Sequence, residues 1–190
     1  MNLPNALSVS RFLLLPLILL FLVAGQAALK YRLVAAGVFV GAAGTDFLDG
    51  YIARRQNLNS DLGVFLDLTA DKALVSTLLI SLVALQRLGA WVAVVVVLRE
   101  FIVTGLRSYA AARGVVIPAG PGGKLKTLVT LAALVGIIAG IEPVTMIATW
   151  LMWLAVLLTV VSGVQYCVQA FPALLSRPGT GGEASRGLPT

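Results

Sequence analysis

Apolar runs of nearly membrane-spanning length follow one another along almost the whole chain, among them "FLLLPLILLFLVAG" at 12–25 and "IATWLMWLAVLLTVV" at 147–161. A helix needs about 20 apolar residues to cross the hydrocarbon core, and in lipid only helices and closed barrels satisfy their own backbone. Periodicity and the breakers between runs mark six spans, near 7–24, 31–54, 62–86, 89–112, 124–141 and 144–171. The breakers are Gly25-Gln26, Asn57 to Ser60, Gly89, Pro118 to Gly123 and Glu142-Pro143. Only 12 % of residues are charged, half of the roughly 25 % usual in soluble domains. The expected fold is therefore an all-α integral membrane protein with six transmembrane helices, forming one catalytic domain over 1–171. The segment 172–190 is expected to be a flexible cytoplasmic tail, because "SRPGTGGEASRGLPT" is rich in Gly, Pro and Ser. A cleavable signal peptide is not expected, since the N-terminus lacks a basic n-region and Asn2, Pro4 and Asn5 read as the entry to a structured helix.

Orientation follows from the basic residues. With the N-terminus in the cytoplasm, Arg11, Arg54, Arg55, Arg107, Arg113, Lys124, Lys126, Arg177 and Arg186 fall on the inner side. Only Lys30, Arg32 and Arg87 fall on the outer side, while Lys72 and Arg99 lie within spans. That asymmetry puts residues 46–71 at the cytoplasmic ends of spans two and three, in what is expected to be a bacterial inner membrane. The net charge of +6 is assigned to loops facing an anionic leaflet and to an anionic substrate, not to nucleic acid. Histidine is absent and Cys167 is the single cysteine. Chemistry must then use carboxylates, Lys, Arg and hydroxyls.

Five of the eight acidic residues fall between positions 46 and 71. Asp46 and Asp49 are three apart and Asp67 and Asp71 four apart, so each pair shares one helix face. The short connection near residues 55–61 makes their helices antiparallel neighbours and brings four carboxylates together. Like charges gathered in an apolar setting repel and lose hydration. One or two divalent cations remove both problems, and oxygen-only ligands select hard ions such as Mg²⁺ or Mn²⁺. Two such ions make a clamp for phosphoryl oxygens. Gly50, Ala53 and Gly63 leave room for a close approach, and Arg54 supplies the charge a diphosphate needs. Asp61 reads as a solvated acid or an ion-pair partner.

The stretch fits DxxDGxxARx8GxxxDxxxD at Asp46, Asp49, Gly50, Ala53, Arg54, Gly63, Asp67 and Asp71. This pattern resembles the signature of the CDP-alcohol phosphotransferases. "NLPNALSVSRFLLLP", "LREFIVTGLRSYAAARG" and "GGKLKT" further resemble the phosphatidylglycerophosphate synthase branch, over roughly residues 2–130 with "SGVQY" at 162–166. One departure is Leu68, where that branch commonly has Pro. The resemblance implies six transmembrane helices in a homodimer, with CDP-diacylglycerol as donor and glycerol 3-phosphate as acceptor. It implies one metal on Asp46, Asp49 and Asp67, a second on Asp46, Asp67 and Asp71, and a CDP pocket lined by Asp49, Gly50, Ala53, Arg54 and Gly63. Asp71 is the expected general base. For the acceptor phosphate, Arg99, Arg107, Lys124 and Lys126 are the expected cations, with Glu100 orienting Arg107. Lys72 and Arg11 are left open between structural and substrate roles. Trp91, Trp150 and Trp153 read as interface anchors or packing, and Asn5 as a helix cap or a head-group contact.

Three other readings meet obstacles. A different acceptor (inositol phosphate, serine or phosphatidylglycerol) would keep the aspartates and change the basic pocket. A membrane prenyltransferase would need two separate Asp-rich motifs, and this chain has one constellation. A cation transporter would place acids near the bilayer midplane, not beside a loop and followed by arginines.

Overall fold

The computed structural model describes the backbone of residues 3–56, 61–113 and 121–175, with side chains over 10–45, 63, 65, 68–113, 123 and 125–170. Six helices account for it: α1 Leu3–Ala24, α2 Leu29–Gln56, α3 Asp61–Ala84, α4 Ala90–Ala112, α5 Pro121–Ala139 and α6 Val144–Leu175. No strand occurs among the described residues. The helices match the expected spans in number and order, and their ends differ for local reasons. Helix α3 stops at Ala84 because Gln86 takes a left-handed φ of 56°. The Gln86 and Arg87 amides then turn back to the Val83 and Leu82 carbonyls, both at 2.9 Å, the crossed pair of bonds that seals a helix C-terminus. Helix α5 stops at Ala139, where Gly140 at φ +60° donates its amide to the Gly136 carbonyl at 3.1 Å. Helix α6 runs to Leu175, four residues past its expected end; residues 176–190 lie outside the described residues. Pro16 sits inside α1, which a membrane helix tolerates when its neighbours re-satisfy the freed carbonyl.

Packing is led by α5 against α6 and by α1 against both α2 and α3, with α4 on α6 and α2 on α5; α2 also touches α3. Leu22, Phe39, Leu74, Leu78, Leu82, Leu134 and Ile138 form the centre of one continuous core. Small residues let backbones approach: Ala35, Ala42, Ala133, Ala148 and Ala155 are buried. A Cβ added to Gly136 would stand 2.5 Å from the Ala148 Cβ, so α5 and α6 meet where no larger residue fits. The periphery is apolar as well, with Leu13 and Trp150 each 71 % exposed and Val168 66 %. Exposed apolar side chains in this number are what a lipid-facing belt requires.

Among the described residues, Val144–Ala170 is the one helical segment long and apolar enough to cross a bilayer. Ser10–Ala24 and Leu125–Ala139 are apolar but shorter. In α4, Arg99, Glu100 and Arg107 interrupt the apolar sequence. Helix α2 carries Lys30, Arg32, Asp46, Asp49, Arg54 and Arg55, and α3 carries Asp61, Asp67, Asp71 and Lys72.

Candidate active site

Asp46, Asp49, Gly50, Ala53 and Arg54 lie on the C-terminal part of α2, and Gly63, Asp67 and Asp71 on the N-terminal part of α3. The backbone is helical through both stretches, so each aspartate pair spans about one helical turn, as its spacing requires. The side chains of Asp46, Asp49, Ala53, Arg54 and Asp67 lie outside the described residues, as does that of Lys124. Among the described residues there is no group of three or more carboxylate, His or Cys side chains. Asp71 and Gly63 are described, and both are half-buried.

Asp71 opens onto a cleft between α3, α4 and α5 whose other polar lining is Lys72, Ser76, Glu100, Lys126, Thr127 and Thr130. The enclosed space is about 30 Å³, room for a water or two, so this is the inner end of a site and not the whole of one. Lys126 brings the positive charge there. It is 5 % exposed, and its Nζ donates to Glu100 Oε1. The position follows from α5: Pro121 suits a first turn because its missing N–H has no partner to lose, and Lys126 falls in the second turn, facing α4. Thr127 and Thr130 turn their hydroxyls onto the carbonyls of Gly123 and Lys126, at 3.0 and 2.8 Å. They add no free donor to the cleft.

Glu100 is the hub. The same Oε1 accepts from Arg99 Nη1 at 2.9 Å, so one half-buried carboxylate holds two cations, from α4 and α5. Arg99 then reaches α6, where its Nη2 donates to Ser162 Oγ at 3.1 Å. Ser162 Oγ in turn donates to the Thr159 carbonyl at 3.2 Å. A Cβ on Gly163 would stand 3.0 Å from Arg99 Cγ, so the stem of Arg99 lies flat on that glycine. Arg107, two turns further along α4, is exposed and within electrostatic reach of Lys72 and of Tyr166. The expected role of Glu100 in orienting Arg107 is not what the structure shows: its described ion partners are Arg99 and Lys126. Two neighbouring cations compete for it at closer range.

The structure thus brings Asp71, Lys126 and Glu100 together and ties Arg99 to them through Glu100, with Arg107 off to one side. Lys72, Ser76 and Ser162 join this network beyond the expected set. Lys72 follows Asp71 directly and could have been read with it. Ser162 opens the "SGVQY" stretch, but nothing there announces its pairing with Arg99, 63 residues away.

The donor set fits hard divalent cations on the chemistry of its side chains. Two carboxylate pairs stand on touching helices, and histidine and thiolate ligands are absent from that stretch.

Comparison with known proteins gives the family. Residues 1–161 match the family described as CDP-alcohol phosphatidyltransferase. The chain is 37 % identical over 187 residues to the CDP-diacylglycerol–glycerol-3-phosphate 3-phosphatidyltransferase of Bacillus subtilis, covering 91 % of this chain and 97 % of that protein. It is 40 % identical over 174 residues to a probable phosphatidylglycerophosphate synthase of Mycobacterium tuberculosis, covering 89 % and 81 %. A Rickettsia typhi protein with the same name as the Bacillus one is 36 % identical over 171 residues, covering 87 % and 94 %. The match runs through α1 to α5 and most of α6 and includes every aspartate of the α2–α3 signature, and by that measure the chain belongs to the CDP-alcohol phosphatidyltransferase family.

Proposed function

We propose that this protein transfers the phosphatidyl group of CDP-diacylglycerol to glycerol 3-phosphate, giving phosphatidylglycerophosphate and CMP. The observation that carries the reading is Asp71 in one cleft with Lys72 and Lys126, in a chain whose relatives are named for this transfer. The family's members are membrane enzymes, and this chain's helices support six crossings: the shortest has 19 residues, about 28 Å at 1.5 Å per residue, against a hydrocarbon core of about 30 Å. The catalytic domain spans 1–171, the tail 172–190 lies in the cytoplasm, and the protein works as a homodimer in a bacterial inner membrane with its site on the cytoplasmic side. The basic-residue asymmetry supports that orientation.

In this reading Asp46, Asp49 and Asp67 hold one divalent ion, and Asp46, Asp67 and Asp71 a second. Bound there, Mg²⁺ or Mn²⁺ neutralises the diphosphate and withdraws charge from the phosphorus under attack. Arg54 pairs with the diphosphate, while Asp49, Gly50, Ala53 and Gly63 let the cytidine nucleotide lie close to α2 and α3. Lys126 and Lys124, with Arg99 and Arg107, draw in the acceptor phosphate. Glu100 keeps Lys126 and Arg99 from collapsing onto the aspartates. The primary hydroxyl oxygen of glycerol 3-phosphate bonds to the diacylglycerol-linked phosphorus, its proton passes to the Asp71 carboxylate, and the bond from that phosphorus to the CMP oxygen breaks. A carboxylate is a weak base for an alcohol, so the proton moves late, once the new P–O bond has acidified it.

The test is CMP release from CDP-diacylglycerol in vesicles, with glycerol 3-phosphate, serine, inositol phosphate or phosphatidylglycerol as acceptor, with and without chelator. Release with glycerol 3-phosphate that stops on chelation and returns with Mg²⁺ or Mn²⁺ is expected. Release with serine alone would reject the acceptor, and full activity in excess chelator would reject the metal role.

A further inference from the structure

At the end of the bundle opposite the cleft, Arg32 near the start of α2 and Arg87 between α3 and α4 converge on the end of α5. Arg32 Nη1 donates to the Gly140 carbonyl at 3.2 Å, and Arg87 Nη1 to the Ile138 carbonyl at 3.4 Å. The two Nη1 atoms lie 2.6 and 3.5 Å from the point a Cβ on Gly140 would occupy, so the guanidiniums face each other across a single residue. One cation at a helix C-terminus is explained by the helix dipole. Two that repel each other are not. Burial, and then Arg32, pull the Arg87 guanidinium below its ordinary value, and no carboxylate among the described residues offsets them. A guanidinium has five N–H donors. The described bonds use one on each arginine, and the Nε of Arg32 is buried without a partner.

Beside this pair lies a cavity of about 150 Å³ with Arg87 on its rim. Its wall is Val92, Ile137 and Met152 together with Trp91 and Trp153. The two indoles meet at 4.7 Å between centroids, tilted by 41°. Charge at the rim, tryptophan beneath it and aliphatic side chains below follow the polarity gradient of a phospholipid from phosphate to acyl chain. Basic residues are scarce at this end, with Lys30, Arg32 and Arg87 the three assigned to it, so converging two of them is a specific expenditure of charge.

We propose that Arg32, Arg87 and the Trp91–Trp153 pair bind an anionic phospholipid of the leaflet opposite the catalytic cleft. Its phosphodiester oxygens lie on the two guanidiniums, and one acyl chain lies along the exposed faces of Trp91 and Trp153. Arginine forks match the two free oxygens of a phosphodiester, and the headgroup supplies the negative charge that the pair lacks.

The full-length protein in detergent, analysed by native mass spectrometry with added phosphatidylglycerol, phosphatidylcholine or inorganic phosphate, tests this. One phosphatidylglycerol should be retained at least about fivefold better than phosphatidylcholine, the preference expected from one to two cations near the headgroup. The double variant Arg32→Gln/Arg87→Gln should lose that preference while its CMP release stays within about twofold of wild type. Equal retention by the variant overturns the proposal. So does displacement of the lipid by millimolar inorganic phosphate, which would make this a free-anion site, and so does loss of a second copy of the chain instead of lipid. If the double variant does not fold, wild-type protein in vesicles decides by tryptophan fluorescence. Phosphatidylglycerol with brominated acyl chains should quench more than brominated phosphatidylcholine, and Trp91→Phe/Trp153→Phe should remove the excess. Equal quenching by the two lipids in wild type also overturns the site.

Discussion

Glu100 is the residue whose neutralisation should reveal most about the cleft. Its side chain is 24 % exposed and holds Lys126, 7 % exposed, and Arg99, 15 % exposed. Removing one partner of a buried ion pair costs about 3–5 kcal/mol, chiefly because the remaining charge stays buried and uncompensated. Glu100→Gln keeps an acceptor oxygen at the same place, and the pair is not fully desolvated, so about 1–3 kcal/mol is expected. In a chain of this length that lowers Tm by about 2–4 °C per kcal/mol. Lys126→Gln should cost less, because it leaves Glu100 paired with Arg99. The double variant removes both charges and should recover part of the loss, giving a coupling energy of about 1–3 kcal/mol. Thermal unfolding of the four proteins in one detergent measures the cycle, and initial rates of CMP release give KM for each substrate. Glu100→Gln and Lys126→Gln should both raise KM for glycerol 3-phosphate more than KM for CDP-diacylglycerol. Energies that add to within about 0.5 kcal/mol, or equal rises in both KM values, would refute the placing of Lys126 by Glu100 at the acceptor end of the site.

Gly136→Ala puts a methyl 2.5 Å from the Ala148 Cβ; the α5–α6 contact must open, and unfolding should show a loss of about 1–3 kcal/mol. Gly41→Ala, where nothing stands within 4 Å of the new methyl, should be neutral or slightly stabilising in the same assay. Gly163→Ala meets the flexible stem of Arg99 at 3.0 Å, so Tm should move by only a degree or two while KM for glycerol 3-phosphate rises about threefold or more. An unchanged KM would detach Arg99 from acceptor binding. Arg99→Lys should not rescue an Arg99→Ala loss, because a lysine cannot reach both Glu100 and Ser162 with a planar fork.

Much of this architecture was legible in the residues. The breakers Gly25-Gln26 and Glu142-Pro143 lie between helices, and the fixed gaps of the aspartate signature identified the family that the comparisons show. What stayed hidden has physical causes. The stop of α3 depends on Gln86 adopting a conformation usually left to Gly, and no local signal announces a glutamine doing so. Lys126 could be read as one more inner-side cation, because topology alone explains lysines in that loop. Its burial against Glu100 depends on how α4 and α5 are aligned. Arg99 and Ser162 meet only through the packing of α4 on α6. Trp91 and Trp153 could be placed at an interface, yet their ring contact depends on the start of α4 packing against the third turn of α6.

The central claim is that carboxylates on α2 and α3 hold hard cations around a nucleotide diphosphate, with Asp71 accepting the acceptor's proton. Asp71→Asn tests it most directly, with single-turnover CMP release and CDP-diacylglycerol binding measured on the same preparation in saturating Mg²⁺. Turnover should vanish while part of the donor binding survives, since Asp46, Asp49 and Asp67 remain. Substantial residual turnover, at a rate indifferent to the substitution, would contradict the role of Asp71 and the chemistry built on it.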